Sequence, residues 1–208
     1  MAEIITVEKL MSFDKNNMGK AAESIGSNDL PQLIKWLDEK DDKIRYNAFL
    51  LLQQRSNMYS DVYPFWDVLL EKLSSTNSYQ RSLGIMLMAE NARWDDAGRL
   101  EKDIGLYLSF CDDEKPITAR QCVQSLAKII PWKKKLCRKV ADKLMAIDIS
   151  ERKETQRKIL LMDIINVLAE INKYDKSNEI DVYISNAMTS GILDKKAKSQ
   201  VLKLLRGE

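Results

Sequence analysis

Residues 29–58 read DLPQLIKWLDEKDDKIRYNAFLLLQQRSNM, and this stretch decides the fold. Leu30, Leu33, Ile34 and Leu37 recur at i, i+3, i+4 and i+7, and Ile44, Ala48, Leu51 and Leu52 at i, i+4, i+7 and i+8. Both sets draw one apolar stripe along a helix. Asp29 is placed to cap the first helix with Pro31 in its first turn, and Asp41 and Asp42 cap and charge-match the start of the second. The unit is a helical hairpin.

Moving outward from Arg45, a basic residue three positions before a small or aliphatic one returns as Arg45–Ala48, Arg81–Gly84, Arg120–Val123, Arg157–Leu160 and, with lysine, Lys198–Val201. Successive basic residues lie 36, 39, 37 and 41 positions apart, and seven positions after each stand Leu52, Met88, Ala127, Ile164 and Leu205. A hairpin of two helices cannot bury both apolar faces alone, so a shared period of this length predicts units that lean on one another. First helices are expected over Val62–Leu73, Leu100–Phe110, Lys134–Met145 and Ile180–Met188, with a divergent leading pair over Glu3–Met11 and Lys15–Ile25. The expected fold is all-α, a right-handed α-solenoid of about six stacked hairpins over residues 1–208. It comprises a capping pair over 1–28 and repeats over 29–59, 60–96, 97–131, 132–173 and 174–208.

Composition agrees with this and removes several chemistries. Of 208 residues, 45% are hydrophobic, Gly (7) and Pro (4) are scarce, and His is absent, so histidine triads, proton shuttles and metal ligands are excluded. Cys111, Cys122 and Cys137 have neither the even count of a disulfide framework nor the spacing of a zinc knuckle, and read as small apolar side chains in a reducing cytoplasm. The start of the chain lacks a signal-peptide pattern and no apolar run spans a bilayer, so a cytoplasmic protein with no membrane association is expected. Net charge is +2, with 16 basic against 20 acidic residues up to Trp132 and 17 against 11 after it. That shallow asymmetry argues against nucleic acid as the partner, and the run Lys133–Lys135 reads as a solvated helix start.

At the level of motif, Asp42-Lys-Ile44-Arg45-Tyr-Asn-Ala48 resembles the second helix of HEAT-type repeat proteins, which begins with an acid, an aliphatic–Arg pair and an Ala three residues later. The later units depart from the pattern: Gln80, Ala119 and Gln156 stand for the aliphatic, and Ser78 and Ile117 for the acid. The resemblance implies that Arg45, Arg81, Arg120 and Arg157 tie neighbouring units together through helix starts. It also implies a concave face formed by second helices, and it speaks to fold more than to activity.

With Ala48 at zero and 100° per residue, the face turned away from the core holds Tyr46, Leu50 and Gln53. Transferred along the period, it continues as Met86 and Glu90, then Ser125 and Lys128, then Lys158 and Met162. Adaptable apolar side chains flanked by polar ones suit a peptide or helix of another protein. The same Met residues could instead fill seams between helices.

Asp163 breaks the pattern, because Leu51, Leu87, Leu126 and Leu204 hold its equivalent place; a salt bridge to a basic side chain of a flanking helix is the expected account. Trp36 and Trp66 fall inside first helices, whereas Trp94 and Trp132 close second helices and could border a groove. No phosphate loop, metal cluster or nucleophile–base pair is legible, so a noncatalytic binding module without cofactor or metal is expected. The alternative is a DNA-binding relative of alkylation-repair glycosylases, which resemble HEAT-like stacks. Asp163, Lys128, Lys158 and Trp132 are the nearest equivalents of such a site, but no family active-site motif aligns with them. HEAT-like units also occur in lyases for bilins; three scattered cysteines and no histidine give that chemistry no support.

Overall fold

A computed structural model of the chain describes residues 4–207. Among them are twelve α-helices and no strand, as expected. Glu3, the expected start of the leading helix, lies outside the described residues. The chain divides into two compact units, Met1–Ala97 and Gly98–Glu208.

The first unit contains α1 (Val7–Ser12), α2 (Met18–Ser24), α3 (Leu30–Trp36), α4 (Asp42–Met58), α5 (Trp66–Leu73) and α6 (Ser78–Asn91). Helix α4 packs against α1, α2, α3 and α6, and α5 packs along α6, so two hairpins lie side by side with the short leading pair against the first. Helix starts follow local chemistry. Asp41 accepts from the amides of Lys43 and Ile44 at 2.8 and 3.3 Å, and Asn77 from that of Tyr79 at 2.9 Å. Pro64 cannot donate to a ladder, so the segment expected to open the third first-helix forms a 3₁₀ turn, Ser60–Phe65, before α5.

Asp29 departs from its expected role. It precedes α3 without capping it; its carboxylate instead accepts from the amides of Gly26 and Ile5, both at 2.8 Å, and so anchors the extended N-terminal segment. Those amides lie outside any helix and, once buried, require an acceptor.

The second unit contains α7 (Arg99–Ser109), α8 (Pro116–Ile129), α9 (Cys137–Met145), α10 (Glu154–Asn172), α11 (Asn178–Thr189) and α12 (Lys195–Arg206). Helix α10 is its centre, packed against α8, α9, α11 and α12. In both units second helices neighbour second helices, which is the packing a repeat requires. The in-register positions Ala48, Gly84, Val123, Leu160 and Val201 are all buried. Gly84 marks a close crossing: a Cβ there would sit 2.7 Å from the Leu69 carbonyl oxygen of α5. Leu205, the last of the apolar positions seven residues after a repeated basic one, is 49% exposed.

Candidate functional site

The repeated arginines act mainly within their own hairpins. Arg45 donates to the Glu39 carbonyl at 2.6 Å, Arg81 to those of Ser75 and Thr76 at 3.0 and 3.1 Å, and Arg157 to those of Arg152 and Ser150 at 2.8 and 2.7 Å. Each is the fourth residue of its helix, and helical side chains lean toward the N-terminus, so the guanidinium meets the loop it has just left. Each of these three thus clasps the turn of its own hairpin, and Arg45 also reaches the neighbouring hairpin, where its guanidinium lies over the Tyr79 ring of α6.

Arg120 is the exception. One residue deeper in its helix, it crosses to α10, where Nε lies 2.6 Å from Asp163 Oδ2 and Nη2 donates to Oδ1 at 3.3 Å; Gln124 adds a bond to Oδ1 at 2.9 Å. The carboxylate that breaks the leucine pattern is therefore buried, charge-paired and held by two side chains of α8, as the salt-bridge reading expected. So engaged, Asp163 is a strut between adjacent second helices.

In the first unit, the outward face of α4 and α6 carries Tyr46, 44% exposed, with Lys15 Nζ 5.4 Å from its ring centroid and Phe49 stacked beneath it. Tyr79 lies nearby on α6 under the Arg45 guanidinium, which is 4.4 Å from its centroid and also paired with Asp42. Leu50, Gln53 and Met86 are half-buried. Glu90 is corrected from an outward to an inward position: it turns toward α4, accepts from Gln53 Nε2 at 2.9 Å, and is only 6% exposed. The C-terminal ends of the two helices are stitched by Asn91 to Ser56 Oγ (2.9 Å), the Trp94 indole to the Ser56 carbonyl (2.6 Å) and Arg93 to the Asn57 carbonyl (2.8 Å). Trp94 is thus a packing residue with a bonded N–H, and Trp36 and Trp66 are buried.

In the second unit, Lys128 and Lys158 are exposed, Met162 is half-buried and Ser125 is buried. Ser125, expected on the outward face, is only 5% exposed and so offers no accessible hydroxyl there. Lys158 Nζ pairs with Asp194 at 2.9 Å, beside an open cleft of about 810 Å³ lined by Glu154, Thr155, Arg157, Gly191 and Asp194. Asp194 caps α12 through the Ala197 amide at 2.8 Å. That bond, then the Lys158 ammonium, holds its carboxyl below the ordinary carboxylate value. Trp132 is 52% exposed at the end of α8.

Sequence reasoning missed Arg55, a buried side chain with several partners in the first unit. It is 7% exposed, pairs with Asp61 at 2.6 Å, donates to the carbonyls of Ala22 and Ile25 at 2.9 and 3.0 Å, and lies over Tyr59. A signal existed: Arg55 sits at i+7 in the apolar stripe Ala48, Leu51, Leu52, with an acid six residues later. Lys72 was missed as well; it joins adjacent hairpins through Asp38 at 2.7 Å and Gln80 at 3.0 Å.

Among the described residues no group of three His, Cys, Asp or Glu is placed to hold a metal ion, and no helix is long and apolar enough to cross a membrane. No protein-family model and no curated protein matches the chain. Among solved structures, a designed armadillo repeat protein is similar in fold, with 14% identity, coverage of 96% of this chain and 97% of that one, and a TM-score of 0.49.

Proposed function

We propose that each unit is a HEAT-like stack whose second helices present a noncatalytic docking face to a protein or peptide partner. The observation that carries the reading is the outer face of α4 and α6. Tyr46 and Tyr79 stand exposed there beside half-buried Leu50 and Met86, while the charged groups around them are occupied by Lys15, Arg45 and the Gln53–Glu90 bond. Exposed tyrosines over a rigid helical floor supply contact area at small entropic cost. Lys128, Lys158 and Met162 are the corresponding candidates in the second unit. Asp163, the acid that breaks the leucine pattern, already accepts from Arg120 and Gln124.

The test places a photo-crosslinking amino acid at Tyr46 or Leu50, and a control at Lys35, which is exposed on the first helix α3. Crosslinking in cell extract should yield a discrete adduct from the α4 positions that Met86→Glu abolishes while helicity is unchanged. Equal adducts from Lys35, or adducts indifferent to Met86→Glu, would refute the assigned face.

A second reading, nucleic-acid binding, draws on the second unit alone, where exposed Trp132 is near exposed Lys134 and Lys135; Lys133, expected to be solvated with them, is instead buried and paired with Glu101 at 3.2 Å. Single-stranded DNA that binds with a steep salt dependence, lost in Trp132→Ala, would favour it over the first.

A further inference from the structure

The turn between α7 and α8 brings two of the three cysteines into contact. Cys111, on the 3₁₀ turn Phe110–Asp112, and Cys122, in the middle of α8, lie with their sulfurs 3.6 Å apart, both thiols free and fully buried. Closure to a disulfide bond of about 2.05 Å requires an approach of roughly 1.5 Å, within the range of a turn adjustment. Cys137 is buried elsewhere, on α9.

We propose that Cys111 and Cys122 form a reversible thiol–disulfide site, closed by hydrogen peroxide or a comparably small hydroperoxide, whose closure loosens the contacts of the neighbouring hairpins. Cys111 is the sulfur that meets the oxidant, because its turn is bordered by the exposed residues Asp112 and Glu114–Ile117, whereas Cys122 donates to the Tyr107 carbonyl at 3.3 Å inside the core. Burial and the neighbouring Cys111 push the Cys122 thiol well above its ordinary range, so it keeps its proton until the partner is activated. The Cys111 sulfur attacks one peroxide oxygen and the O–O bond breaks, giving a sulfenic acid and water. Cys122 sulfur then attacks the sulfenic sulfur, the S–O bond breaks, and the departing hydroxide takes the Cys122 proton as a second water. Two thiols lose two electrons in all and the peroxide gains them.

The position of the turn gives the bond a consequence. Asp112, next to Cys111, is ion-paired with Lys143 of α9 and accepts from Arg152 at 2.9 Å, ahead of α10. Drawing Cys111 toward Cys122 moves the carboxylate that joins the α7–α8 hairpin to the α9–α10 hairpin.

The sequence makes the test direct. Since Lys115 precedes Pro116 and resists trypsin, the cysteines fall on separate peptides, Asp103–Arg120, Gln121–Lys128 and Leu136–Arg138. The native full chain is treated with hydrogen peroxide, quenched by alkylation in denaturant and digested without reductant. The expected product joins the first two peptides with loss of two hydrogens, leaves Cys137 alkylated, reverts with dithiothreitol and forms equally in Cys137→Ser. Amide exchange over Ile149–Arg152 should be several-fold faster in the oxidised chain. Separate sulfinic or sulfonic acids at Cys111 and Cys122, or cross-links through Cys137, overturn the site. Unaltered exchange in the cross-linked chain overturns its coupling to the neighbouring hairpins. Cys122→Ala should replace the cross-link by oxygen addition at Cys111, and if that variant does not fold, the wild-type digest decides.

Discussion

Substituting Arg120 by methionine should destabilise the chain by about 3 kcal/mol, because Asp163 would be left in a buried place without its ion-pair partner and with only Gln124 bonded to it. The Asp163 side chain is 9% exposed and that of Arg120 is 29% exposed, so the two partners are not equivalent. Loss of Arg120 strands a carboxylate that water cannot readily reach. Loss of Asp163 frees a guanidinium that can rehydrate, and Asp163→Leu installs the residue that Leu51, Leu87, Leu126 and Leu204 already hold at this position. That substitution should cost about 1 kcal/mol or less, and the double variant Arg120→Met/Asp163→Leu should lie within about 1 kcal/mol of wild type. The coupling energy from the cycle is therefore about 2–3 kcal/mol. Urea unfolding followed by circular dichroism measures all four chains, with the slope checked for constancy so that the midpoints report stability alone. Equal costs for the two single variants, with a double variant at their sum, would refute the strut.

Gly84→Ala gains roughly 1 kcal/mol of helix propensity but sets a methyl group 2.7 Å from the Leu69 carbonyl oxygen and 3.1 Å from Leu73 Cδ2, so melting should fall; a higher melting temperature would contradict the close crossing of α5 and α6. Trp94→Phe removes the donor to the Ser56 carbonyl and should cost about 1 kcal/mol in urea unfolding, with an unchanged value counting against that bond. Asp194 has a folded-state value below its unfolded one, so its contribution is present above the ordinary carboxylate range, near pH 4, and fades as pH falls through the depressed value. Carboxyl chemical shifts should titrate below that range, and acid fraying of α12 should be weaker in Asp194→Asn, which keeps a capping oxygen without a proton to gain; identical acid profiles would exclude the effect.

The helices and their register could be read before any coordinates because their signals are local and periodic. Apolar spacing, Asp41 and Pro31 at helix starts, and the five in-register small or aliphatic positions each depend on neighbours within a turn or two. Asp163 was legible as a conflict for the same reason, since a pattern shows where it is broken. Its partner was not: Arg120 shares the motif of Arg45, Arg81 and Arg157, and nothing in the motif says that those three guanidinium groups clasp the turns of their own hairpins while that of Arg120 pairs with an acid on the next second helix. Glu90 and Ser125 were placed outward by a fixed angle per residue, which takes no account of how deeply the adjacent helix sits or how far a side chain extends. The contact of Cys111 with Cys122, the bonds of Arg55 and the approach at Gly84 likewise depend on distances between helices. Those distances come from how whole side-chain surfaces interlock, a property of the packed unit that no single segment carries.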